Sequence, residues 1–385
     1  MLKVLFFIPS LEGGGAERVM VEILRSVDRE RIEPVLVLLQ PYANSPFKKN
    51  IPEEIKVIVV DRNSDTTIDK IRQYVGFIRT VLSEKPHLIM SMLTHCNIMA
   101  ILLKLISGIR VIVCEHIIPS EVIKTKEGGR MLWFSTRHLI KTFYRFADKI
   151  VAVSEGIKAN LVEEFNIPPH KTEVLYNPVD LDLISELSRV SAGHVFFKEG
   201  VPVLLSVGRL VPQKGFDILL KAFRKVLEEM DARLIILGEG QGREPLLMLA
   251  GDLAITGKVS FAGFQGNPYK FMSKADIFVL PSRYEGLPMV ILEAMACGAP
   301  VVSSDCKSGP REILQDGSHG VLVPVEDVDA LSAALSRLLR DKTLRKKFSE
   351  TARERARDFA AAEIVSRYEE LICKSARVPG DWTQV

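Results

Sequence analysis

Two basic side chains and two carboxylates in the second half of the chain are spaced for work on a phosphorylated ligand. Arg209 and Lys214 lie in Gly208-Arg209-Leu210-Val211-Pro212-Gln213-Lys214-Gly215, directly after an apolar run over 203–207. A guanidinium fork and a compact ammonium on one loop suit a diphosphate, the first bidentately and the second as a point charge. Two solvated surface cations would look the same in sequence. Their place after a strand, where open α/β sheets take their ligands, favours the diphosphate. Glu285 and Glu293 are eight residues apart in Glu285-Gly286-Leu287-Pro288-Met289-Val290-Ile291-Leu292-Glu293. Pro288 suits a first helical turn. Glu285 then falls on a loop, and Glu293 sits about a turn and a half into a helix of apolar neighbours. A carboxylate there needs partners, and the spacing alone fits ligand hydroxyls and a helix salt bridge equally well.

In the first half, Gly13-Gly14-Gly15-Ala16-Glu17-Arg18 follows the first apolar run. Glycines there let backbone approach a ligand and present helix N–H groups to an anion. A tight strand-to-helix turn is the plainer alternative. A dinucleotide fingerprint would need a third glycine at Arg18 and an acidic residue after the second strand, where Leu39-Gln40-Pro41 offers none. Nicotinamide chemistry is therefore disfavoured. His116 follows Val111-Ile112-Val113-Cys114-Glu115 at the end of another expected strand. A lone histidine is more often structural than catalytic, and Cys114 with His116 lacks the further ligands of a metal site. His95 and Asn97, placed near the end of the preceding strand, are weaker candidates for the same edge.

The elements that must position these residues alternate in type from end to end. Apolar runs at 4–8, 34–39, 56–60, 88–92, 111–114 and 149–153 predict strands, with helical patterns between them, for example at 16–27, 67–83 and 98–107. The alternation predicts a parallel sheet covered on both faces. After Asn177-Pro178-Val179-Asp180 it restarts, with strands at 203–207, 232–237, 258–261, 277–280, 300–303 and 321–323. This gives two doubly wound α/β domains, over 1–180 and 181–360, and a C-terminal segment over 361–385 whose helix returns to the first domain. A length of 385 residues agrees, since single cores stop growing near ~250–300 residues. Hydrophobic residues at 47% and charged residues at 26% exclude a disordered chain. A net charge of only +3 argues against a nucleic-acid partner. Five scattered cysteines without a Cys-x-x-Cys predict a reduced, cytoplasmic protein. The apolar start reads as a buried strand rather than a signal peptide. The nearest candidate for a membrane span, 98–113, is interrupted by Lys104, Gly108 and Arg110.

Together these residues resemble the retaining glycosyltransferases of family 4, which have the GT-B fold. The resemblance covers nearly the whole chain. It rests on the early Gly-Gly loop, Glu115-His116, Val153-Ser154-Glu155-Gly156-Ile157, Tyr176-Asn177-Pro178-Val179-Asp180, the Gly208-Arg209 to Lys214-Gly215 segment, and the Glu285/Glu293 pair. Each motif is weak alone; their order makes them specific. The resemblance implies two Rossmann-like domains facing a central cleft, the first holding the acceptor and the second a nucleotide-sugar donor. It implies that Arg209 and Lys214 hold the donor diphosphate and Glu293 the ribose hydroxyls. Glu285 would contact the donor sugar, with backbone N–H groups around Gly286 and Leu287. Gly14 and Gly15 would close over the phosphates, and His116 would reach the sugar near the reaction centre. The base would meet backbone near Gly263-Phe264 and Leu237-Gly238-Glu239. Retention by a front-face route, without a metal or other cofactor, is likewise what the family implies.

Met90-Ser91-Met92-Leu93 with Asn97, and Lys307-Ser308-Gly309-Pro310-Arg311-Glu312-Ile313-Leu314, are similar to the branch that transfers N-acetylhexosamine to polyprenyl-diphosphate-linked saccharides. That likeness alone favours UDP over GDP. Residues 118–149 carry seven Lys and Arg against three Asp and Glu, interleaved with Met131, Leu132, Trp133, Phe134, Leu139, Ile140, Phe143, Tyr144 and Phe146. Such a basic, aromatic, amphipathic segment suits the surface of an anionic bilayer. It would place the protein peripherally on the inner face of the cytoplasmic membrane, beside a lipid-linked acceptor. A helix packed within the first domain, or a site for the acceptor's diphosphate, fits the same residues. A soluble acceptor and a non-catalytic nucleotide-sugar-binding protein are the other readings.

Overall fold

The computed structural model describes residues 1–43, 45–60, 67–121 and 129–376, with the side chains of 67–71 and 129–135 left aside. The chain divides into two compact units, Met1–Pro178 with the segment returning from Ala361, and Val179–Ala360.

The first unit has strands β1 (Leu2–Ile8), β2 (Ile32–Leu38), β3 (Lys56–Val59), β4 (Leu88–Met92), β5 (Arg110–Glu115), β6 (Lys149–Ala152) and β7 (Thr172–Val174). They form one sheet in the order β3-β2-β1-β4-β5-β6-β7, paired in parallel throughout. The second unit has β8 (Val203–Val207), β9 (Arg233–Leu237), β10 (Val259–Phe261), β11 (Ile277–Leu280), β12 (Val301–Ser304) and β13 (Val321–Val323). Their order, β10-β9-β8-β11-β12-β13, is again all parallel. Continuous apolar runs are what a strand covered on both faces needs, and β4 and β11 are buried along their whole length. Strand β7 is the one the apolar pattern misses. Its three residues, Thr172, Glu173 and Val174, hold a single aliphatic side chain and depend on β6 for their register.

In each sheet the winding reverses between the first and fourth strands of its unit, β1/β4 and β8/β11. In open α/β sheets such a reversal is where the loops leaving adjacent strands diverge and ligands are taken, at the carboxyl ends. Phe7 of β1 stacks on Phe77, ring centroids 4.0 Å apart, and both are fully buried in the first unit. Leu204, Phe223, Ile236, Val279 and Leu335 belong to the core of the second. The helix Ala361–Ala376 packs on the helix Gly15–Ser26 and on β4 and β5, so the C-terminus completes the first unit. Tyr368 is fully buried there, and Glu369 accepts the Asp28 N–H at 2.7 Å and pairs with Arg31 at 3.3 Å.

Candidate active site

At the switch point of the second unit, two loops are joined through backbone and charge. The loop after β8 runs through residues 208–215. A short 3-10 turn, Pro212–Lys214, ends at Gly215 with φ +64°, and the helix Phe216–Glu229 begins there. A Cβ on Gly215 would lie 2.1 Å from the Pro281 carbonyl oxygen, so glycine is what lets the β8 loop touch the β11 loop. Gln213 Nε2 donates to Tyr284 O at 2.9 Å, and the Arg283 N–H donates back to Gln213 O at 2.8 Å. The Arg283 guanidinium grips both oxygens of Asp217, at 3.0 and 2.9 Å, and Glu326 at 2.6 Å.

This bracing brings Lys214 Nζ to 2.5 Å from Glu285 Oε1, and Ser282 Oγ donates to the same oxygen at 2.6 Å. Glu285 is 6% exposed. An ammonium has three donor directions, so Lys214 can hold Glu285 and still serve an anion. Arg209, five residues earlier, is exposed and makes no ion pair among the described residues.

The turn 286–288 after Glu285 leads into the helix Met289–Cys297, which has no side-chain N-cap bond. The loop after β12 supports this turn. Ser308 Oγ donates to Gly286 O at 2.8 Å, and Gly309, at φ +90°, fits where a Cβ would lie 2.6 Å from the same oxygen. Glu293 is 1% exposed on that helix, and Tyr269 Oη donates to its Oε1 at 3.4 Å. The nearby thiols are inert, burial pushing Cys297 and Cys306 each up to about 12. Beyond β10, Phe264 is 56% exposed, while Gly263 O accepts the Gly238 N–H at 2.8 Å. A Cβ on Gly238 would lie 2.0 Å from Gly208 O, so the β8 and β9 loops also meet backbone to backbone.

The first unit's switch point is built more openly. Gly13 has φ +104°, which its turn requires. Gly14 is the N-cap of the helix Gly15–Ser26, with no side-chain cap bond, and a Cβ on Gly15 would meet nothing within 4 Å. His116 follows the last residue of β5 and is half-buried. Burial lowers its pKa to about 4, so the ring is neutral. His95 and Asn97 lie in the first turns of the helix Thr94–Ser107 rather than on a strand end, and Asn97 is fully buried.

Two other motifs have local structural work. Ser154 caps the helix Glu155–Phe165 by accepting the Ile157 N–H at 3.2 Å, and Asp180 caps Leu181–Ser188 by accepting the Leu183 N–H at 2.9 Å. The chain also contains Asp180-Leu181-Asp182 and Asp327-Val328-Asp329, and the first Asp of each is a helix N-cap. Among the described residues no three His, Cys, Asp or Glu side chains group to hold a metal ion. Within the basic aromatic segment, residues 122–128 and the side chains through 135 lie outside the described set. Of the rest, Ile140 and Tyr144 pack inside the unit, while Leu139 and Phe146 are 37% and 42% exposed. Among the described residues no helix is long and apolar enough to cross a membrane.

A model of Glycosyltransferase Family 4 matches residues 13–183, and a model of the glycosyl transferases group 1 matches 193–355. The chain is 32% identical over 375 residues to a Campylobacter jejuni N-acetylgalactosamine-N,N'-diacetylbacillosaminyl-diphospho-undecaprenol 4-alpha-N-acetylgalactosaminyltransferase, covering 94% of this chain and 97% of that one. A second C. jejuni protein is 28% identical over 97% of this chain and 99% of its own, and is named an alpha-1,4-N-acetyl-D-galactosaminyltransferase acting on a GalNAc-bearing diNAcBac-PP-undecaprenol. Among solved structures, Anabaena HepE in complex with UDP and glucose has a TM-score of 0.80 at 20% identity, covering 97% of this chain and 100% of that one.

Proposed function

Because the chain belongs to glycosyltransferase family 4, we propose that it is a retaining, metal-independent transferase that moves an N-acetylhexosamine or hexose from a UDP-sugar to a polyprenyl-diphosphate-linked saccharide. The observation that carries the donor half is the ion pair of half-buried Lys214 with buried Glu285 at the switch point of the second sheet, with exposed Arg209 on the same loop. The acceptor half rests on the two C. jejuni proteins, whose names describe transfer to undecaprenyl-diphosphate-linked sugars.

In this reading Arg209 and Lys214 bind the donor diphosphate. Glu293 accepts hydrogen bonds from the ribose hydroxyls, and Phe264 lies beside the base. Glu285 and the backbone around Gly286 and Leu287 hold the transferred sugar. As the bond from the anomeric carbon to the phosphate oxygen breaks, negative charge grows on the leaving diphosphate. Lys214 and the N-terminus of the helix Met289–Cys297 are held beforehand to stabilise that charge, and Arg209 on the same loop adds its own, which is the role a divalent cation plays elsewhere. The acceptor oxygen bonds to the same face of the carbon, and its proton passes to the leaving phosphate oxygen. UDP leaves and the anomeric configuration is kept. The first unit takes the acceptor, and presents residues 13–15 and His116 at the carboxyl ends of its strands. The basic aromatic segment around 118–149 attaches the protein to the anionic inner face of the cytoplasmic membrane.

The test is thermal stabilisation by UDP, GDP and ADP in excess chelator, followed by transfer to a synthetic polyprenyl-diphosphate saccharide. A nucleotide at 100 times its dissociation constant adds about 2.7 kcal/mol. A shift with UDP alone and transfer in chelator are expected. A shift with GDP alone, or transfer that requires added divalent cation, refutes the donor or the metal assignment respectively. Flotation with anionic vesicles at low salt checks the membrane contact, and absence of binding removes it.

A further inference from the structure

At the carboxyl edge of the first sheet, three buried polar atoms on consecutive residues have no hydrogen-bond partner among the described residues: Oε2 of Glu115 and both ring nitrogens of His116. The other oxygen of Glu115 is crowded. Oε1 accepts from Asn97 Nδ2 at 3.0 Å, from Thr94 Oγ1 at 3.3 Å and from the Tyr144 hydroxyl. Asn97 is itself locked, donating to Cys114 O at 2.9 Å and accepting from Ser91 Oγ at 2.8 Å. One carboxylate oxygen thus ties the last residue of β5 to the helix Thr94–Ser107 and to the 3-10 turn Tyr144–Phe146, and through Asn97 to β4. Glu115, Asn97 and Tyr144 are all fully buried.

A neutral amide could fill this space at lower cost, since a buried carboxylate without a cation is strongly penalised. Burial raises the Glu115 pKa to about 7, against the opposing hydrogen bonds from Tyr144, Asn97 and Thr94. Titratable groups around it include Tyr144 and Cys114, both pushed well up by burial and by the carboxylate itself, neutral His116, and, on the helix Ala361–Ala376 packed against β5, Tyr368, likewise pushed up by burial. An acid that changes charge at neutral pH therefore sits next to His116 in the chain, with exposed His95 in the first turn of the helix that supplies Thr94 and Asn97.

We infer that Glu115 is a positioning residue for sugar transfer: its carboxylate clamp on Asn97, Thr94 and Tyr144 fixes the end of β5 and so sets the ring of His116. The inference rests on the role that the family resemblance implies for His116, reaching the sugar near the reaction centre. The ionised carboxylate is the stronger acceptor for three donors, so the clamp is tightest above neutral pH. Folding has the opposite preference. The native acid binds its proton more tightly than the unfolded chain does. Glu115 therefore favours the folded state in acid, and this contribution is lost as pH rises from about 4.5 to about 7. Turnover and stability should slope in opposite directions over that window, which a purely structural acid would not produce.

The test is kcat and KM for donor and acceptor from pH 5.5 to 9, with melting temperatures, for wild type, Glu115→Gln, Tyr144→Phe and His116→Ala. Wild-type kcat should rise with pH through a midpoint near 7. Glu115→Gln should flatten that limb, lower kcat at pH 8 by about tenfold to a hundredfold, leave the donor KM unchanged, and remove the opposing slope in stability. Tyr144→Phe deletes a donor that favours the ionised form, so the limb should move to higher pH; this variant decides the matter should Glu115→Gln fail to fold. A wild type without the limb, a Glu115→Gln protein that keeps it, or an unmoved limb in Tyr144→Phe overturns the inference. Full activity in His116→Ala would instead overturn the reading of His116 on which it rests.

Discussion

The carboxyl edges of the two sheets share a strand order around the switch point and differ in how much the protein has already settled. In the second unit, glycines at 215, 238 and 309 are fixed by backbone atoms 2.0–2.6 Å from where a Cβ would stand, and Lys214, Ser282 and Glu285 are already hydrogen-bonded. At the first unit's edge Gly13 takes a glycine conformation, Gly15 faces open space, and Oε2 of Glu115 and both ring nitrogens of His116 are enclosed without partners among the described residues. A site that must stabilise growing charge gains from groups fixed before the reaction. An edge that admits a large saccharide gains from room. The contrast is what the proposed donor site in the second unit and acceptor site in the first call for.

The sharpest way to break the contrast is to remove the charges. Arg209→Ala and Lys214→Ala should each lower kcat/KM by about 10²–10³-fold. Their effects on stability should differ. Arg209 has no ion pair to lose among the described residues, so its melting temperature should hold. Lys214→Ala leaves Glu285 buried with Ser282 as its remaining donor, at a cost of about 1–3 kcal/mol. Steady-state kinetics beside calorimetry decide the point. Near-normal turnover in Lys214→Ala would remove the diphosphate assignment.

A matched pair of glycine variants compares the edges directly. Gly238→Ala places a methyl 2.0 Å from Gly208 O at a φ of +137°, so it should destabilise by more than about 1 kcal/mol and weaken nucleotide binding with it. Gly15→Ala meets nothing within 4 Å, so stability should stay within about 0.5 kcal/mol. If a ligand closes on that turn, Gly15→Ala should still lose turnover several-fold, with its melting curve unchanged. Equal losses of stability in the two variants would erase the distinction between the edges.

Much of this architecture is visible in the residues alone, for reasons that can be named. Buried parallel strands need apolar runs, so β1, β4, β8 and β11 are plain in the sequence, and the loops that follow them carry Arg209, Lys214 and Glu285. Short polar β7 escapes because it is a strand only by virtue of its neighbour. The bracing is equally hidden. Arg283 meets Asp217 across 66 residues, and Glu115 meets Tyr144 across 29, distances over which no local pattern reaches. Which glycines the backbone requires is also set by contacts rather than by composition. Ser154 and Asp180 show the reverse: residues that mark the family also have a local role as helix caps.

The smallest expected effect concerns the support beneath the donor turn. Lys307-Ser308-Gly309-Pro310 reads in sequence as a subfamily marker, and the structure gives Ser308 a physical task, holding Gly286 O at 2.8 Å from below. Ser308→Ala removes that donor at a buried position, and a neutral hydrogen bond of this kind is worth about 1 kcal/mol. In a unit of this size the melting temperature should fall by about 2–4 °C. The turn would keep its place through Gly309 but hold it less tightly, so the donor KM should rise a few-fold while kcat at saturating donor changes little. A fall in kcat with an unchanged donor KM would mean that Ser308 acts in the chemical step, and that the second unit is less settled before ligand arrives than its hydrogen bonds indicate.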